Sequence, residues 1–261
     1  MIYRPGIIGA DYVVPAARGF KGAYLRCCGL PDVRLHLSAA YALRLGDALP
    51  HSTVLDLGSG NGALTIAMTA AWHPVRVMAL ERDERAVDYA RRLQRQLGAR
   101  QVEFRVGDIE RADLGDGYDL VTCLAVLQFV RDIPAFLHRV ARCLRPGGHL
   151  LLQTGEQWKP RGLMRFARFR RDVPAFGEVH EGFEVEGLGR MLAAAGFDHP
   201  RVLHALKPAS RLAKDLFYIS RAQSPLAFRL LTPALNLTTA FDPWWPGTGP
   251  MLFLVAASTS A

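Results

Sequence analysis

The stretch VLDLGSGNGALTIA, residues Val54–Ala67, joins an apolar run typical of a strand to an alanine-rich run typical of a helix. The turn between them holds three glycines, Gly58, Gly60 and Gly62. Glycine at such a turn lets a ligand approach the backbone closely, because no side chain is in the way. Gly58, Gly60 and Ala63 also fit the pattern G-x-G-x-x-A of dinucleotide-binding proteins, so the turn predicts a nucleotide and leaves open which one.

Strand-like and helix-like runs alternate along the chain from Val54 onward. The strand-like runs are TVLDLG, VRVMALE, VEFRVGD, YDLVTCL and GHLLLQT, and the helix-like runs between them are NGALTIAMTAAW, ERAVDYARRLQRQLG and IPAFLHRVARCLRPGG. Such alternation is typical of βαβ units, whose parallel sheet is covered by helices on both faces. A further helix, EVEGLGRMLAAAGF, and two further strands, PRVLHAL and MLFLVAAS, complete the predicted core. We therefore predict an α/β fold.

The chain divides into four predicted segments. Residues 1–50 form an N-terminal helical lid segment, and residues 51–155 form the ligand-binding core. A basic aromatic insert follows at 156–183. Residues 184–261 form the C-terminal part of the core, with a lid insert at about 207–250. We expect the segments outside the alternating core to cover the site.

The chain has 261 residues, of which 50% are hydrophobic, so it can bury one large core. Its formal net charge is +8, and cations mix with aromatic residues between Trp158 and Arg171. That basic run fits the solvated face of a lid helix. It also fits capture of an acidic small molecule, of nucleic acid or of an anionic lipid surface.

Cysteine usage and the terminal segments indicate the compartment. The four cysteines have neither zinc spacing nor the density of a disulfide scaffold. The N-terminus lacks the pattern of a secretory signal, and the uncharged tail is broken by proline and glycine. We therefore expect a cytoplasmic protein, with peripheral contact to an anionic membrane surface as one role for the basic run and for the segment FDPWWPGTG.

Carboxylates occur where three of the predicted strands end. Asp56 precedes the glycine turn, Glu81 follows the second strand and Asp108 follows the third. Because ligands bind beyond the carboxyl ends of parallel strands, we expect all three side chains to border one pocket. Glu81 stands at the spacing that suits ribose hydroxyls, and Asp108 can accept a hydrogen bond from an exocyclic amine. Negative charge beside the turn disfavours a pyrophosphate, so Asp56 argues for a cationic ligand and against a nicotinamide dinucleotide.

At this point the chain resembles the class I S-adenosylmethionine-dependent methyltransferases, in particular the broad type 11 group that acts on small molecules and lipids. VLDLGSGNG is similar to the first motif of that family, and the resemblance extends over roughly residues 50 to 205. The further matching motifs are ALERDERAVDYA, GD at Gly107 and Asp108, AVLQFV, LRPGGHLLL and AGF. The resemblance implies a Rossmann-like, doubly wound, mostly parallel seven-stranded sheet with helical lid insertions.

The resemblance also implies a set of residues that bind S-adenosylmethionine. Gly58, Ser59, Gly60 and Gly62 would lie along the methionine moiety. Glu81 would hold the ribose, with Arg82 beside it. Asp108 and Ile109 would frame the adenine, and Leu124 would close the pocket on the substrate side. No metal is implied.

Residues for the acceptor and for catalysis are less clearly marked. His180 lies in a pattern that is similar to the H-x-x-G-[FY] segment near the substrate pocket of related enzymes, and histidine suits a general base. Capping or packing at the lid edge is the alternative for His180. The expected substrate-side residues are Tyr24, Gln128, Phe129, Trp158 and Phe176. The family often has histidine at the position of Phe129, so that polar contact is missing here.

We therefore predict a methyltransferase that acts in line on a small apolar, aromatic or lipid-like acceptor, with oxygen as the favoured atom. The alternatives are an RNA methyltransferase and a non-catalytic protein that binds S-adenosylmethionine. DNA-base methylation is disfavoured because no DPPY-like tetrapeptide follows the fourth strand and the sequence contains no PC dipeptide. Nucleic acid is accordingly a disfavoured partner, and the sequence leaves the oligomeric state open.

Overall fold

The computed structural model of the protein describes residues 3–9, 11, 13–14, 17–155, 163, 177–198 and 200–259. A seven-stranded sheet in the order β3-β2-β1-β4-β5-β7-β6 lies at its centre. Its strands are β1 (Thr53–Leu57), β2 (Arg76–Glu81), β3 (Val102–Val106), β4 (Tyr118–Leu124), β5 (Leu144–Gly155), β6 (Arg201–Ala205) and β7 (Met251–Ala257). Strands β1 to β5 pair in parallel, and β7 runs antiparallel to both of its neighbours. The predicted Rossmann-like, mostly parallel sheet is confirmed.

Helices connect and flank the strands. They are α1 (Gly19–Cys28), α2 (Val33–Gly46), α3 (Ala63–Trp72), α4 (Glu84–Leu97), α5 (Ile133–Cys143), α6 (Val185–Ala194), α7 (Pro208–Gln223) and α8 (Pro225–Ala240). Side chains of Asp32, Asp83 and Asp132 accept hydrogen bonds from backbone N–H groups at the starts of α2, α4 and α5, where such donors lack partners within the helix. None of the helices that the structure describes is both long and apolar enough to cross a lipid bilayer.

Alternating side chains of the strands build two apolar layers, one on each face of the sheet. On one face Val54, Ala79 and Phe104 pack with residues of α2, α3 and α4. On the other face Leu55 and Leu80 pack with residues of α5 and α6. Because side chains of a strand point to opposite faces in turn, the same strands supply both layers. The sheet is therefore covered on both sides, as its near-continuous apolar strands require.

The helices α7 and α8 pack against each other and against the N-terminal helices α1 and α2. Val33 of α2 lies with Phe217 of α7 and Leu235 of α8 in a small apolar cluster of its own. The buried carboxylate of Asp242 accepts hydrogen bonds from the Tyr41 hydroxyl (2.8 Å) and from the backbone nitrogens of Leu206 (3.0 Å) and Lys207 (2.9 Å). The N-terminal segment and the segment after β6 thus form one helical unit beside the sheet.

Candidate functional site

A cleft opens at the carboxyl ends of β1, β2, β3 and β4, where the strand order reverses between β1 and β4. Ligands of open α/β sheets bind at such a reversal, because the loops on its two sides diverge. The residues that line the cleft are Gly58, Glu81, Arg82, Gly107, Asp108, Ile109, Glu110, Leu124, Ala125, Val126, Phe129 and Val130. Most of the residues predicted from the ends of the strands therefore meet at one place.

Glycine occurs at the three positions of the turn for different structural reasons. All three have positive φ, at 77° for Gly58, 55° for Gly60 and 77° for Gly62, which residues with side chains rarely adopt. A Cβ on Gly58 would lie 2.3 Å from Val126 Cγ2, and one on Gly62 would lie 2.7 Å from Ala90 Cβ. A Cβ on Gly60 would meet no heavy atom of the protein within 4 Å. Packing of the protein requires Gly58 and Gly62, whereas Gly60 leaves its backbone open to a ligand.

Glu81 stands at the end of β2 and faces the glycine turn. One carboxylate oxygen accepts a hydrogen bond from Gly60 N (3.0 Å), and the other accepts one from Asp83 N (3.0 Å). A carboxylate offers about four acceptor positions, so two remain for ribose hydroxyls. The side chain is thus held in place before any ligand arrives, and it keeps capacity to bind one.

The loop after β3 contributes two carboxylates. Asp108 is exposed and accepts a hydrogen bond from Glu110 N (2.9 Å). Glu110 lines the cleft as well, and its Oε1 accepts bonds from Arg131 N (2.9 Å) and Asp132 N (3.1 Å) at the start of α5. Sequence reasoning missed Glu110, although its position two residues after Asp108 at a strand end was a usable signal.

Asp56 differs from its expected role. It lies within β1 and is 4% exposed, and it is not among the residues that line the cleft. Its carboxylate accepts hydrogen bonds from the Thr65 hydroxyl (2.6 Å) and the Thr122 hydroxyl (2.7 Å). Burial raises its pKa, and these two hydrogen bonds oppose the rise. Asp56 therefore links β1 to α3 and β4 from below the site and does not border the pocket as expected.

An apolar wall of the cleft runs from Leu124 to Val130. Ala125 has a φ of 59°, which is rare for a residue with a side chain. Its N–H donates to Gln153 O (3.0 Å), and its C=O accepts from the Gln128 side chain (2.9 Å). Such strained positions cost about 1–3 kcal/mol and cluster at functional sites. Gln128 itself is buried behind this wall, so its side chain does not line the cleft as a substrate contact.

An arginine and an aromatic ring face each other at the cleft. The Arg82 guanidinium lies 5.9 Å from the centre of the Phe129 ring, within the range of a cation–π contact. Both residues line the cleft. The predicted positions of Arg82 and Phe129 are thus brought together, one from the end of β2 and one from the turn after β4.

His180 lies behind the apolar wall. Its Nε2 lies 3.0 Å from Val130 O, and its ring packs at 5.6 Å from that of Phe183. The backbone nitrogens of Val179 and His180 both donate to Gln128 O, at 2.9 Å and 3.1 Å. A carbonyl oxygen only accepts, so the neutral ring carries its proton on Nε2 and its lone pair on Nδ1.

Besides Gln128, three of the residues predicted on the substrate side are not found at the cleft. Tyr24 stands half-buried on α1, and the cleft is lined by residues of other elements. Trp158 and Phe176 lie outside the residues that the structure describes, as does the arginine run from Arg161 to Arg171. The described part of 1–50 and of 207–250 contributes no residue to the lining of the cleft, so a covering role for these segments stays a prediction.

The described residues fit S-adenosylmethionine. Three carboxylates, Glu81, Asp108 and Glu110, and one cation, Arg82, line the cleft, so its net charge favours a cationic ligand over a pyrophosphate. Ser59 Oγ is buried in the turn and has no hydrogen-bond partner among the described residues. Such an orphaned atom calls for a partner, which a ligand can supply. The preference for a cationic ligand, inferred from Asp56 in the sequence, therefore comes from Glu81, Asp108 and Glu110 in the structure.

Comparison with known proteins agrees with the fit of this cleft to S-adenosylmethionine. The family model of the methyltransferase domain matches residues 49–186. The ubiquinone biosynthesis O-methyltransferase of Xanthomonas campestris pv. campestris (strain B100) is 37% identical over 127 residues, which are 48% of this chain and 50% of that protein. The malonyl-[acyl-carrier protein] O-methyltransferase of Acetivibrio thermocellus is 31% identical over 108 residues, 41% of this chain and 37% of that protein. The chain thus matches about half the length, or less, of these curated relatives.

Solved structures share the fold over most of the chain. A putative sarcosine dimethylglycine methyltransferase from Galdieria sulphuraria superposes with a TM-score of 0.61 at 13% identity and covers 88% of this chain and 87% of its own. At that identity the likeness shows the fold alone. The family model matches more than half of the residues, so it shows the family as well as the fold. This chain belongs to the methyltransferase domain family, the class I methyltransferases whose cofactor is S-adenosylmethionine.

Proposed function

We propose that the protein transfers a methyl group from S-adenosylmethionine to an oxygen atom of a small acceptor with an apolar body. The observation that carries the proposal is the division of the cleft into a side with carboxylates and an apolar wall from Leu124 to Val130. The two relatives named above are both O-methyltransferases, which supports oxygen as the acceptor atom. Neither name supports the alternative of RNA methylation.

Residues on the carboxylate side would bind and orient the cofactor. The free acceptor positions of Glu81 suit the ribose hydroxyls, and Asp108 with Ile109 suits the adenine. The open backbone at Gly60 and the orphaned Ser59 hydroxyl suit the methionine moiety. When bound, S-adenosylmethionine supplies an electrophilic methyl group on a positively charged sulfur. The contribution of the protein is then to hold the two reactants in line and to exclude water.

The apolar wall would receive the acceptor. Leu124, Val126, Phe129 and Val130 offer no charged group, so an acceptor with an aromatic or aliphatic body gains from contact with them. As the oxygen forms its bond to the methyl carbon, the hydroxyl proton must leave. His180 Nδ1 carries a lone pair because Nε2 donates to Val130 O. His180 lies behind Val130 and is not among the residues that line the cleft, so we assign Nδ1 to accept that proton through one bridging water.

Methyl transfer itself is tested with cofactor labelled in its methyl group. The purified protein is offered phenols and long-chain hydroxy compounds in one set of reactions, and amines and free sugars in another. We expect label on oxygen of the apolar set, together with release of S-adenosylhomocysteine. Label on nitrogen would refute the acceptor atom. Binding of S-adenosylhomocysteine without transfer to any acceptor would favour a non-catalytic protein that binds the cofactor.

Replacement of Glu81 tests the placement of the cofactor. The change Glu81→Gln removes the negative charge, and it removes one of the acceptors for the ribose. Hydrogen bonds to charged groups contribute about 1.5–3 kcal/mol, so S-adenosylhomocysteine should bind about 10 to 100 times more weakly in calorimetry. Glu103→Gln is the matched control, because Glu103 is an exposed carboxylate on β3 that pairs with Arg105. Equal affinity of the two variants would contradict the placement.

Replacement of His180 tests the base. The change His180→Asn should lower kcat by about a hundredfold, in the range of general base catalysis, and should leave KM nearly unchanged. A variant that keeps the full rate would show that His180 only fastens the segment at Val179 to the wall.

A further inference from the structure

Helix α8 exposes four of its leucines and buries three polar residues. Leu226 and Leu230 face solvent with 67% and 71% of their surface exposed, and Leu231 and Leu237 are exposed as well. The buried side of the helix carries Thr232, Asn236 and Thr239 together with Leu235 and Ala240. An ordinary surface helix buries its apolar side and exposes its polar one.

Hydrogen bonds explain why the polar residues lie inside. The Asn236 amide donates to Cys28 O (2.7 Å) and Leu30 O (2.8 Å), which are backbone acceptors at the end of α1 and just after it. Thr232 and Thr239 donate to carbonyls within α8 itself. The threonine bonds lie within the helix, so the bonds of Asn236 fix which side faces inward, and rotation of the helix to bury its exposed leucines would break them. The exposed leucines are a built feature of the fold.

The apolar surface continues into the turn after α8. Phe241, Trp244 and Trp245 are 46%, 49% and 39% exposed. The Phe241 and Trp244 rings lie 5.9 Å apart, and the Arg44 guanidinium lies 5.7 Å from the Trp244 ring. We call the outward side of α8 together with this turn the docking face, defined by Leu226, Arg229, Leu230, Leu237, Phe241 and Trp244. Clustered exposed leucine and aromatic side chains of this kind indicate an interaction site.

The exposed charges of the stretch that contains the docking face have one sign. The sequence from Arg201 to Thr259 contains two carboxylates, Asp215 and Asp242, and both are buried. Arg221 and Arg229 are exposed on α7 and α8. Leucines and tryptophans beside arginines, without an exposed carboxylate in this stretch, complement a surface that is apolar inside and anionic outside.

We propose that the docking face binds the surface of an anionic lipid bilayer, with α8 lying parallel to the membrane plane. The proposal does not depend on which acceptor is methylated. A second copy of the chain complements this face less well, because a twofold contact would bury the same face of both copies, and that face has Arg229 but no carboxylate to pair with it. A bilayer supplies both the apolar phase for the leucines and the phosphates for the arginines.

Flotation of the full chain with vesicles tests the proposal. One set of vesicles is phosphatidylcholine alone, and the other contains equal parts of phosphatidylcholine and phosphatidylglycerol. We expect the protein to float with the anionic vesicles, to stay largely unbound with the neutral ones, and to be released by high salt. Absence of binding to both sets, or equal binding to both, would overturn the proposal.

A matched pair of variants locates the binding face. Leu230→Glu places one negative charge on the docking face, and Val75→Glu places the same charge at a residue that is 77% exposed at the start of β2. Loss of one buried leucine should weaken vesicle binding about tenfold or more for Leu230→Glu, and Val75→Glu should bind like the unchanged protein. Both melting temperatures should stay unchanged, which removes misfolding as a cause.

Two results would point to another occupant of the face. Equal vesicle binding by Leu230→Glu and the unchanged protein would show that membranes bind elsewhere. A dimer of the unchanged protein in light scattering that dissociates in Leu230→Glu would show that a second copy covers the face. Either result would refute the proposal and leave the proposed methyl transfer untouched.

Discussion

At the scale of single residues, the carboxyl of Asp56 acts as a structural link. It joins β1 to α3 through Thr65 and to β4 through Thr122, and it is removed from water. Both threonine hydroxyls are buried as well. Because each of them donates to Asp56, removal of the carboxyl would leave two buried hydroxyls that need new partners.

The change Asp56→Ala should therefore act on stability first. Each orphaned buried group costs about 1–3 kcal/mol, so we expect the free energy of unfolding to fall by about 3 kcal/mol. Asp56→Asn keeps an acceptor and a donor for the rotating hydroxyls and should lose less. Thermal unfolding of both variants, with calorimetry of S-adenosylhomocysteine binding to folded Asp56→Asn, gives the comparison. A loss of affinity in Asp56→Asn as large as in Glu81→Gln would mean that Asp56 faces the ligand after all.

Sequence reasoning located residues at the ends of strands more reliably than it assigned their contacts. Glu81 and Asp108 were placed at the cleft because the carboxyl ends of parallel strands meet, and Leu124 was placed there by the family resemblance. The orientation of Asp56 depends on Thr65 and Thr122, which are distant in sequence, so no local pattern reveals it. Glu110 could have been found from its position two residues after Asp108, whereas its bonds to the start of α5 join residues about twenty positions apart and have no local signal.

At the scale of elements, the glycine turn and the turn after β4 shape each other. Val126 occupies the space that a Cβ on Gly58 would need, and Val126 itself follows the strained Ala125. The two turns come from the neighbouring strands β1 and β4. One side of the cleft is therefore set by the fit between two turns, and a change in either displaces the other.

The two glycines should respond differently to alanine. Gly58→Ala combines a left-handed backbone with a contact at 2.3 Å, so we expect a loss of about 3 kcal/mol in unfolding free energy. Gly60→Ala has the same backbone strain without the contact and should lose about 1 kcal/mol. Its affinity for S-adenosylhomocysteine should nevertheless fall, because the methyl group enters the space left open for the ligand. Denaturant unfolding and calorimetry on the pair decide this, and unchanged affinity in Gly60→Ala would contradict the ligand contact.

The core elements followed from the alternating pattern, whereas the helical unit beside the sheet did not. Strands read from short apolar runs match β1 to β7, because burial on both faces demands such runs. The segment 207–250 was predicted only as a lid insert. Its helix α8 exposes four leucines, buries Thr232, Asn236 and Thr239 and contains Pro233, so it departs from the ordinary amphipathic pattern from which helices are inferred.

At the scale of the whole molecule, a buried histidine fastens the N-terminal segment to the core. His36 on α2 is fully buried, and it contacts the Tyr3 hydroxyl through Nδ1 and Leu30 O through Nε2 (2.8 Å). A Cβ on Gly29 would lie 2.2 Å from the His36 ring, so the ring fills a close-fitting space. Burial lowers the pKa of His36 to about 4, because no water is present to solvate a charged ring.

Stability should consequently fall on acidification. Below about pH 6.5 the unfolded chain takes up a proton on His36, while the folded protein does so only near pH 4, so unfolding is favoured across that window. The full difference corresponds to about 3 kcal/mol. Melting temperatures measured between about pH 7 and pH 5 should drop for the unchanged protein and less for His36→Gln. His138→Gln, an exposed histidine on α5, is the control, and an equal drop in all three proteins would assign the effect elsewhere.

Asp242 lies in the turn that contains Trp244 and Trp245, and its carboxylate is hydrogen-bonded to the backbone at the end of β6. The position of this turn affects the route by which an acceptor reaches the cleft. Strands β6 and β5 are both antiparallel to β7, so they run in the same direction. The carboxyl end of β6 therefore lies on the side of the sheet where the cleft opens. A bilayer bound at that turn would therefore face the edge where methyl transfer is proposed. An apolar acceptor dissolved in lipid would then arrive by lateral diffusion, and turnover would follow its mole fraction in the membrane and not its concentration in water.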